Sequence, residues 1–516
     1  MDLRPLRERF VSVLKQLWPA YLCASFLILY GFSWGLPDSL HLFSFQADEN
    51  AAVHSVQTMH FPSFDPRRYN WGTGLFYQAY LAKKIISLGG LLRTPDHRVF
   101  ILGRIISYLS ALGAITTTYL LGRRLFDEWT GRLAALILSV LPGFVVNSHY
   151  FKTDIPMLFW LLVAMLFAYE LIASSRLGYV WALGLALGYA ASIKYSAALL
   201  VPSGLVAIGM ADWKLKPHAW LAFPVAVGIG FIIGEPRLFF NWRDIIAAVH
   251  WVKQLNATGQ PYAIGRPPAW LDYSVNVLPL SLTLPMLALT GLAVLWAIAK
   301  GGKKLLPIWA FICPYYLLVS ADNERLVRYT TPLLPFMALL VAYLIKSLRE
   351  IHFVKQFALP AISIVLLYVF IFSFSYVQVM AQTDPRVQAS NWIIQNIPKG
   401  GELPINKDHY TNFPDLPLLG YKRLEIDYNI EELQKAESPY LIFSEFGTRF
   451  YLEAIEHYPA HKKFFDYVNA NYVDVVHFEN SQRIFGIDSK ATTRMAQDWL
   501  HPNPRITILR RETGAN

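Results

Sequence analysis

The chain has 516 residues, of which 54% are hydrophobic and only 16% charged, with a formal net charge of +10. A soluble globular protein carries about 25% charged residues, so the composition excludes an ordinary soluble enzyme and points to a polytopic α-helical membrane protein. Its two cysteines, Cys23 and Cys313, fall inside apolar stretches, which excludes a disulfide framework and a thiolate metal site.

The basic start MDLRPLRERFVSVLK precedes an apolar stretch with no small-residue cleavage site, which predicts an uncleaved first span. Apolar stretches close to the length of about 20 residues needed to cross a bilayer follow at 17–37, 99–122, 131–149, 155–173, 177–193, 195–211, 219–235, 273–299, 305–320, 331–346 and 357–380, about eleven transmembrane helices. With the N-terminus cytoplasmic, the connections holding Arg123, Arg124 and Arg132, then Arg176, Lys214 and Lys216, Lys300 to Lys304, and Lys346 to Lys355 are all cytoplasmic. Every one is basic, as the positive-inside rule requires, and the net charge is thereby explained by topology without nucleic acid.

Two extracytoplasmic connections are long, at about 37–98 and 236–272. In the second, NWRDIIAAVHWVKQL places Ile245, Ile246, Val249 and Val252 at helical spacing against a polar face, with Trp242 and Trp251 suited to headgroup depth. Asn256-Ala257-Thr258 has the form of a glycosylation acceptor, a tripeptide common by chance. The composition turns polar after residue 380, dividing a membrane domain (1–380) from a soluble α/β domain (381–516). In the latter PYLIFSE, YVDVVHFE and RITILRR read as strands, and ASNWIIQNI and TRFYLEAIEHY as helices. An odd number of spans puts this tail outside the cytoplasm.

Ionisable residues near membrane depth are costly and tend to be functional. Here they gather at the extracytoplasmic ends of the spans: Asp48 and Glu49 after the first, His149 to Asp154 after the third, Lys194 and Tyr195 after the fifth, Glu235 and Arg237 after the seventh, and Asp322 to Arg328 after the ninth. Simpler accounts stand beside the functional one. Asp48 and Asp154 are placed to cap the helices that follow them, and Lys194, Arg325 and Arg328 to snorkel to the interface.

FQADENAAVHSVQTMHFPSFDP after the first span resembles the first extracytoplasmic loop of GT-C glycosyltransferases, the class of bacterial protein O-mannosyltransferases and of the lipid A aminoarabinose transferase. HYFKTDIPMLFW is similar to their second acidic site, SIKYSAALLVP to their lysine-containing segment, ERLVRYTTPLLPF to a late membrane segment, and DPRVQASNWIIQNIPKG to the opening of a soluble tail. Gln46-Ala47 stands where the commoner motif has His-Pro before the acids. The resemblance implies an inverting transferase of the bacterial inner membrane that moves a sugar from a polyprenyl-phosphate carrier to a hydroxyl of a protein, lipid or glycan. No cofactor is implied beyond the polyprenyl-phosphate sugar as donor substrate, and no divalent metal is required. Asp48 is then the general base, Glu49 and Asp154 acids that either position the acceptor or orient Lys194 and the base, and Lys194, Arg325 and Arg328 the donor-phosphate ligands. His149, Tyr150, Tyr195, Glu235 and Arg237 are assigned to the sugar and acceptor pocket. The alternatives are a ligase or polymerase using a diphosphate-linked oligosaccharide, and a lipid or sugar transporter; a transporter would place ionisable groups near mid-bilayer on discontinuous spans.

Overall fold

The computed structural model describes residues 4–88, 97–212, 214–257, 263–490 and 496–512. Thr258, and with it the glycosylation tripeptide as a unit, lies outside the described residues. Helices in chain order are α1 (Arg4–Leu29), α2 (Ala47–Thr58), α3 (Gly74–Leu88), α4 (His97–Leu125), α5 (Glu128–Val140), α6 (Pro142–Ser148), α7 (Asp154–Ser174) and α8 (Leu177–Ile193). There follow α9 (Val201–Met210), α10 (Lys216–Gly234), α11 (Leu238–Ala257), α12 (Ala269–Asp272), α13 (Leu278–Leu282), α14 (Leu284–Lys300), α15 (Leu306–Val319), α16 (Leu334–Arg349), α17 (Lys355–Val377) and α18 (Pro385–Asn396).

Each of the eleven apolar stretches is helical, but the expected count of eleven spans is not reproduced by length. Among the described residues six helices are long and apolar enough to cross a membrane, and eight if two bent pairs each count as one span. The bends have local causes. α5 and α6 meet at 63° where Leu141 turns extended before Pro142, because a proline disfavours helical backbone in the residue before it and supplies no N–H. α13 and α14 meet at 115° across Thr283, whose φ of 75° is followed by Leu284-Pro285. The stretches at 177–193 and 195–211 form the short α8 and a 3-10 turn (Tyr195–Leu200) leading into α9.

Exposed Leu221, Val225, Ile229 and Ile233 recur every fourth residue on α10, the outward apolar stripe of a helix facing lipid tails. Its other face packs on α8 through small residues. A Cβ on Gly188 would lie 2.0 Å from the Val227 carbonyl oxygen, and one on Gly230 2.2 Å from that of Leu185. Gly184 and Gly188 are four apart on α8, the small-residue spacing that lets two helix backbones touch where no hydrophobic gradient drives helices together. On α11 Trp242, Ile246, Val249 and Trp251 are exposed, whereas Ile245 of the expected apolar face is buried.

The tail folds on a five-stranded sheet in the order β2-β1-β3-β7-β4, with a small β5-β6 hairpin. The strands are β1 (Glu402–Asn406), β2 (Lys422–Ile426), β3 (Tyr440–Ser444), β4 (Tyr472–Phe478), β5 (Arg483–Ile484), β6 (Ile487–Asp488) and β7 (Ile506–Arg511). The three predicted strands are β3, β4 and β7, with β7 antiparallel between the other two; β1 and β2 add a parallel pair. One face is covered by Ala389 and Ile393 of α18 over Ile405, Ile442 and Ile508. The other is covered by Phe464 and Phe465 over Leu441 and Leu509. Trp499, just before β7, packs into the membrane-helix core, its ring 4.2 Å from that of Tyr376 on α17.

Gly188→Val is expected to lower stability by about 1–3 kcal/mol through overpacking. It should show as a lower melting temperature in detergent, while Gly178→Ala, with nothing within 4 Å of its added Cβ, leaves the melting temperature unchanged.

Candidate active site

Asp48 and Glu49 are adjacent but face different surroundings. α2 begins at Ala47, and its cap is Gln46, whose side-chain oxygen accepts the Asp48 amide at 2.7 Å. Asp48 is therefore not spent on capping. Its Oδ2 receives Nη1 of Arg328 and lies 3.1 Å from Nζ of Lys152. Asp154 likewise opens α7 without capping it, since the cap position is Thr153 and makes no side-chain bond. Its Oδ1 instead accepts Nζ of Lys194 at 2.7 Å. Lys194 lies 5.1 Å from the centre of the Tyr329 ring, next to Arg328. Two acids and three cations from α2, the 149–153 turn, α7, the end of α8 and the 3-10 helix Val327–Leu333 thus converge.

Burial on its own would raise the Asp48 carboxyl, but Arg328 and Lys152 outweigh it and hold Asp48 well below the ordinary carboxylate range. It is ionised at any physiological pH. Lys152 is pushed down, first by burial and then by Arg328, against the pull of Asp48.

Glu49 is fully buried. It takes Nε and Nη2 of Arg104 at 2.8 and 2.7 Å, the hydroxyl of Ser44 at 2.7 Å and the amide of Phe151 at 2.8 Å. With its acceptor positions filled from three segments, it fastens the site rather than facing it. Arg325 is separated from Arg328 by the turn of the chain. Its φ is 58°, and its Nε lies 3.6 Å from Asp272, in a group with Arg266 and Glu453.

Of the residues assigned to the pocket, His149 is held against the Val145 carbonyl at 2.9 Å, and Tyr150 lies beneath Lys152, 5.9 Å from Nζ to ring centre. The remaining three are tied to residues 63–73. Tyr195 donates to the Tyr69 carbonyl at 2.9 Å, Arg237 faces Asp65 at 3.8 Å, and Glu235 accepts the Thr73 amide at 3.0 Å. Burial pushes Glu235 up to about 7, against the opposing Thr73 bond, and its Oε1 has no hydrogen-bond partner.

Sequence reasoning passed over three residues of the site. Lys152 stands within HYFKTD, where the resemblance implies no role for it. Asp498 and His501 come from the tail. The carboxylate of Asp498 accepts the amides of Val327 and Arg328, each at 2.9 Å. His501 is pushed well down, first by burial and next by Lys152, with Asp48 opposing. No motif marks either residue, because the partners of Asp498 are 171 and 170 positions away and that of the His501 carbonyl is 115 away.

Residues 84–233 match the family described as dolichyl-phosphate-mannose-protein mannosyltransferase. Over 144 residues the chain is 30% identical to the lipid A galacturonosyltransferase RgtD of Rhizobium johnstonii, a match covering 27% of this chain and 28% of that protein. An uncharacterized protein of Aquifex aeolicus is 24% identical over 256 residues, 48% of this chain and 50% of its own length. The chain thus spans between about a quarter and a half of the lengths of these relatives. The structure aligns with the archaeal oligosaccharyltransferase AglB of Archaeoglobus fulgidus, solved with an inhibitory peptide and a dolichol-phosphate. The TM-score is 0.51 at 12% identity, over 91% of this chain and 73% of that one. At that identity the likeness is one of fold.

Two variants test these assignments. Glu49→Gln leaves the Arg104 charge uncompensated and is expected to cost about 3–5 kcal/mol of stability, read as a large fall in melting temperature. Because the folded Glu235 holds its proton up to about pH 7 while an unfolded one loses it near 4.3, the folded state binds more protons between these values and loses stability as pH rises through that window. Glu235→Gln should flatten the pH dependence of the melting temperature there; an unchanged slope would refute the assignment.

Proposed function

We propose that this chain, which belongs with the GT-C glycosyltransferases, transfers a sugar from a polyprenyl-phosphate carrier to an acceptor hydroxyl, with inversion and with Asp48 as general base. The observation that carries the reading is the meeting of Asp48 with Arg328 and Lys152 at one carboxylate oxygen. An acceptor O–H gives its proton to Asp48 as its oxygen bonds to the anomeric carbon. The bond from that carbon to the phosphate oxygen breaks, and its electron pair leaves with the lipid phosphate. The leaving group is already a stable anion, so it requires cations more than a proton. Arg328 suits it through paired hydrogen bonds, and Lys152 and Lys194 as point charges.

A carboxylate held by two cations is a weak base. When a donor phosphate competes for Arg328 and Lys152, the hold on Asp48 loosens and its affinity for a proton rises. Donor binding in this way switches on the base, and proton removal awaits a loaded site. Asp154 keeps Lys194 charged and oriented. In this reading the charge of the departing phosphate falls to these side chains, with no call on a divalent metal. The site opens to the extracytoplasmic face, the membrane domain ends near residue 380, and the tail stands on the same side, in keeping with the basic connections opposite.

Asp48→Asn is expected to lower transfer of radiolabelled sugar from polyprenyl phosphate by about 10²–10⁴-fold in membranes at equal expression, with donor still bound, and wild-type transfer should persist in EDTA. Transfer by Asp48→Asn at the wild-type rate would remove the assignment.

A further inference from the structure

Arg328 reaches Asp48 only because its backbone is held from behind. It is the second residue of the 3-10 helix Val327–Leu333, whose cap residue Leu326 offers no side-chain bond. The first two amides of that helix are instead taken by the two oxygens of Asp498, one each, at 2.9 Å. The carboxylate is itself buried and belongs to the turn Gln497–Trp499.

That turn has little freedom. Trp499 donates from Nε1 to the Ser489 carbonyl at 2.9 Å, and its own carbonyl accepts the Tyr376 hydroxyl at 3.1 Å. Two residues on, the His501 carbonyl accepts Nη2 of Arg386 at 2.7 Å, while Arg386 is paired with Asp384, which accepts the indole N–H of Trp34 at 3.0 Å. The tail segment is thus anchored to α17 and to the loop after α1, and from that anchorage it grips the Arg328 backbone.

We propose that Asp498 is a positioning residue of the transferase site: by clamping the Val327 and Arg328 amides it directs the Arg328 guanidinium to Asp48 and to the donor phosphate. This rests on the reading of Arg328 as a phosphate ligand. The tail then supplies part of the site's geometry as well as a separate fold. Neither oxygen of Asp498 touches substrate in this scheme; its effect passes through Arg328.

The test uses the full chain in nanodiscs, with undecaprenyl phosphate as the binding probe and labelled-sugar transfer as the second readout. Arg328→Ala is expected to weaken binding about tenfold, the loss of one charge-assisted contact. Asp498→Asn, which keeps one acceptor oxygen but not two, should weaken it by a similar factor and slow transfer on the order of 10²-fold. The double variant should bind no more weakly than Arg328→Ala alone. Val327→Pro removes one donor while leaving the carboxylate charged. Its preceding residue is already extended, with φ −90° and ψ 138°, the backbone that a following proline accepts. This variant should weaken binding too, and it is the one to read if Asp498→Asn fails to fold. Weak binding by Arg328→Ala with normal binding by Asp498→Asn or Val327→Pro, or additive losses in the double variant, would overturn the positioning role and leave the phosphate role of Arg328 standing. Normal binding by Arg328→Ala would overturn both.

Discussion

Glu49 and Arg104 are joined by two hydrogen bonds inside the helix bundle, and the placement of Asp48 and Lys152 can be traced to that pair. Glu49 is one residue from Asp48, and it also accepts the amide of Phe151, one residue from Lys152. A single buried carboxylate therefore sets the position of α2, which carries the acid, and of the 149–153 turn, which carries one of its cations. The Ser44 hydroxyl on the same carboxylate ties in the loop leading to α2. Burying such a pair gains little stability over apolar side chains of the same volume. What it contributes is geometry, because a guanidinium and a carboxylate meet in few orientations.

The same logic separates the two neighbouring acids by role. Both are ionisable and lie on the first turn of one helix, so composition treats them alike. Successive helical positions point about 100° apart, and here one direction leads into α4 and the other toward the cations of the open cluster. Glu49 meets its partner with matched geometry and all neighbours supplied. Asp48 shares two cations that a phosphate can also bind, so its partners are exchangeable. An acid with exchangeable partners suits chemistry better than one whose bonds all serve packing.

How far this was legible in the sequence depends on the range of the contact. Apolar stretches and basic connections are local signals, and all eleven stretches are indeed helical. The count by length stays below eleven because α8, α9 and α15 are shorter than a full crossing, while proline and Thr283 bend two further stretches that hydropathy, blind to backbone direction, reads as straight. Lys194 and Asp154 are legible as residues near span ends, and an acid orienting Lys194 is one of the two roles open to Asp154; the contact that joins them across 40 positions comes from the fold. Capping, a local rule, gave a plausible account of Asp48 and Asp154 that the structure does not support: Gln46 caps one helix, and Thr153 occupies the cap position of the other. Arg325 and Arg328 could not be told apart from spacing. The positive φ of Arg325 turns it toward Asp272, and nothing in the letters ERLVR announces that. In the tail, β1 and β2 escaped because ELPIN and KRLEI are short and carry proline or charge, although each is a full partner in the parallel pair.

The tail bears on the site through backbone as much as through side chains. Val327 is buried, and an amide there without a partner would be costly, so some acceptor is required where the chain enters the last short helix before α16. A serine or aspartate at the preceding position would have met that need locally, yet Leu326 stands there and the acceptor comes from residue 498. The consequence is a dependence between two parts of the chain that composition separates at about residue 380. The membrane helices present the acids, and the cation that meets Asp48 is held in place by the tail. Trp499 against Tyr376 and the Arg386–Asp384–Trp34 chain make that hold rigid on both sides. A site assembled in this way is complete only when the tail is docked, which gives a physical reason for the chain to keep its polar part against its membrane helices.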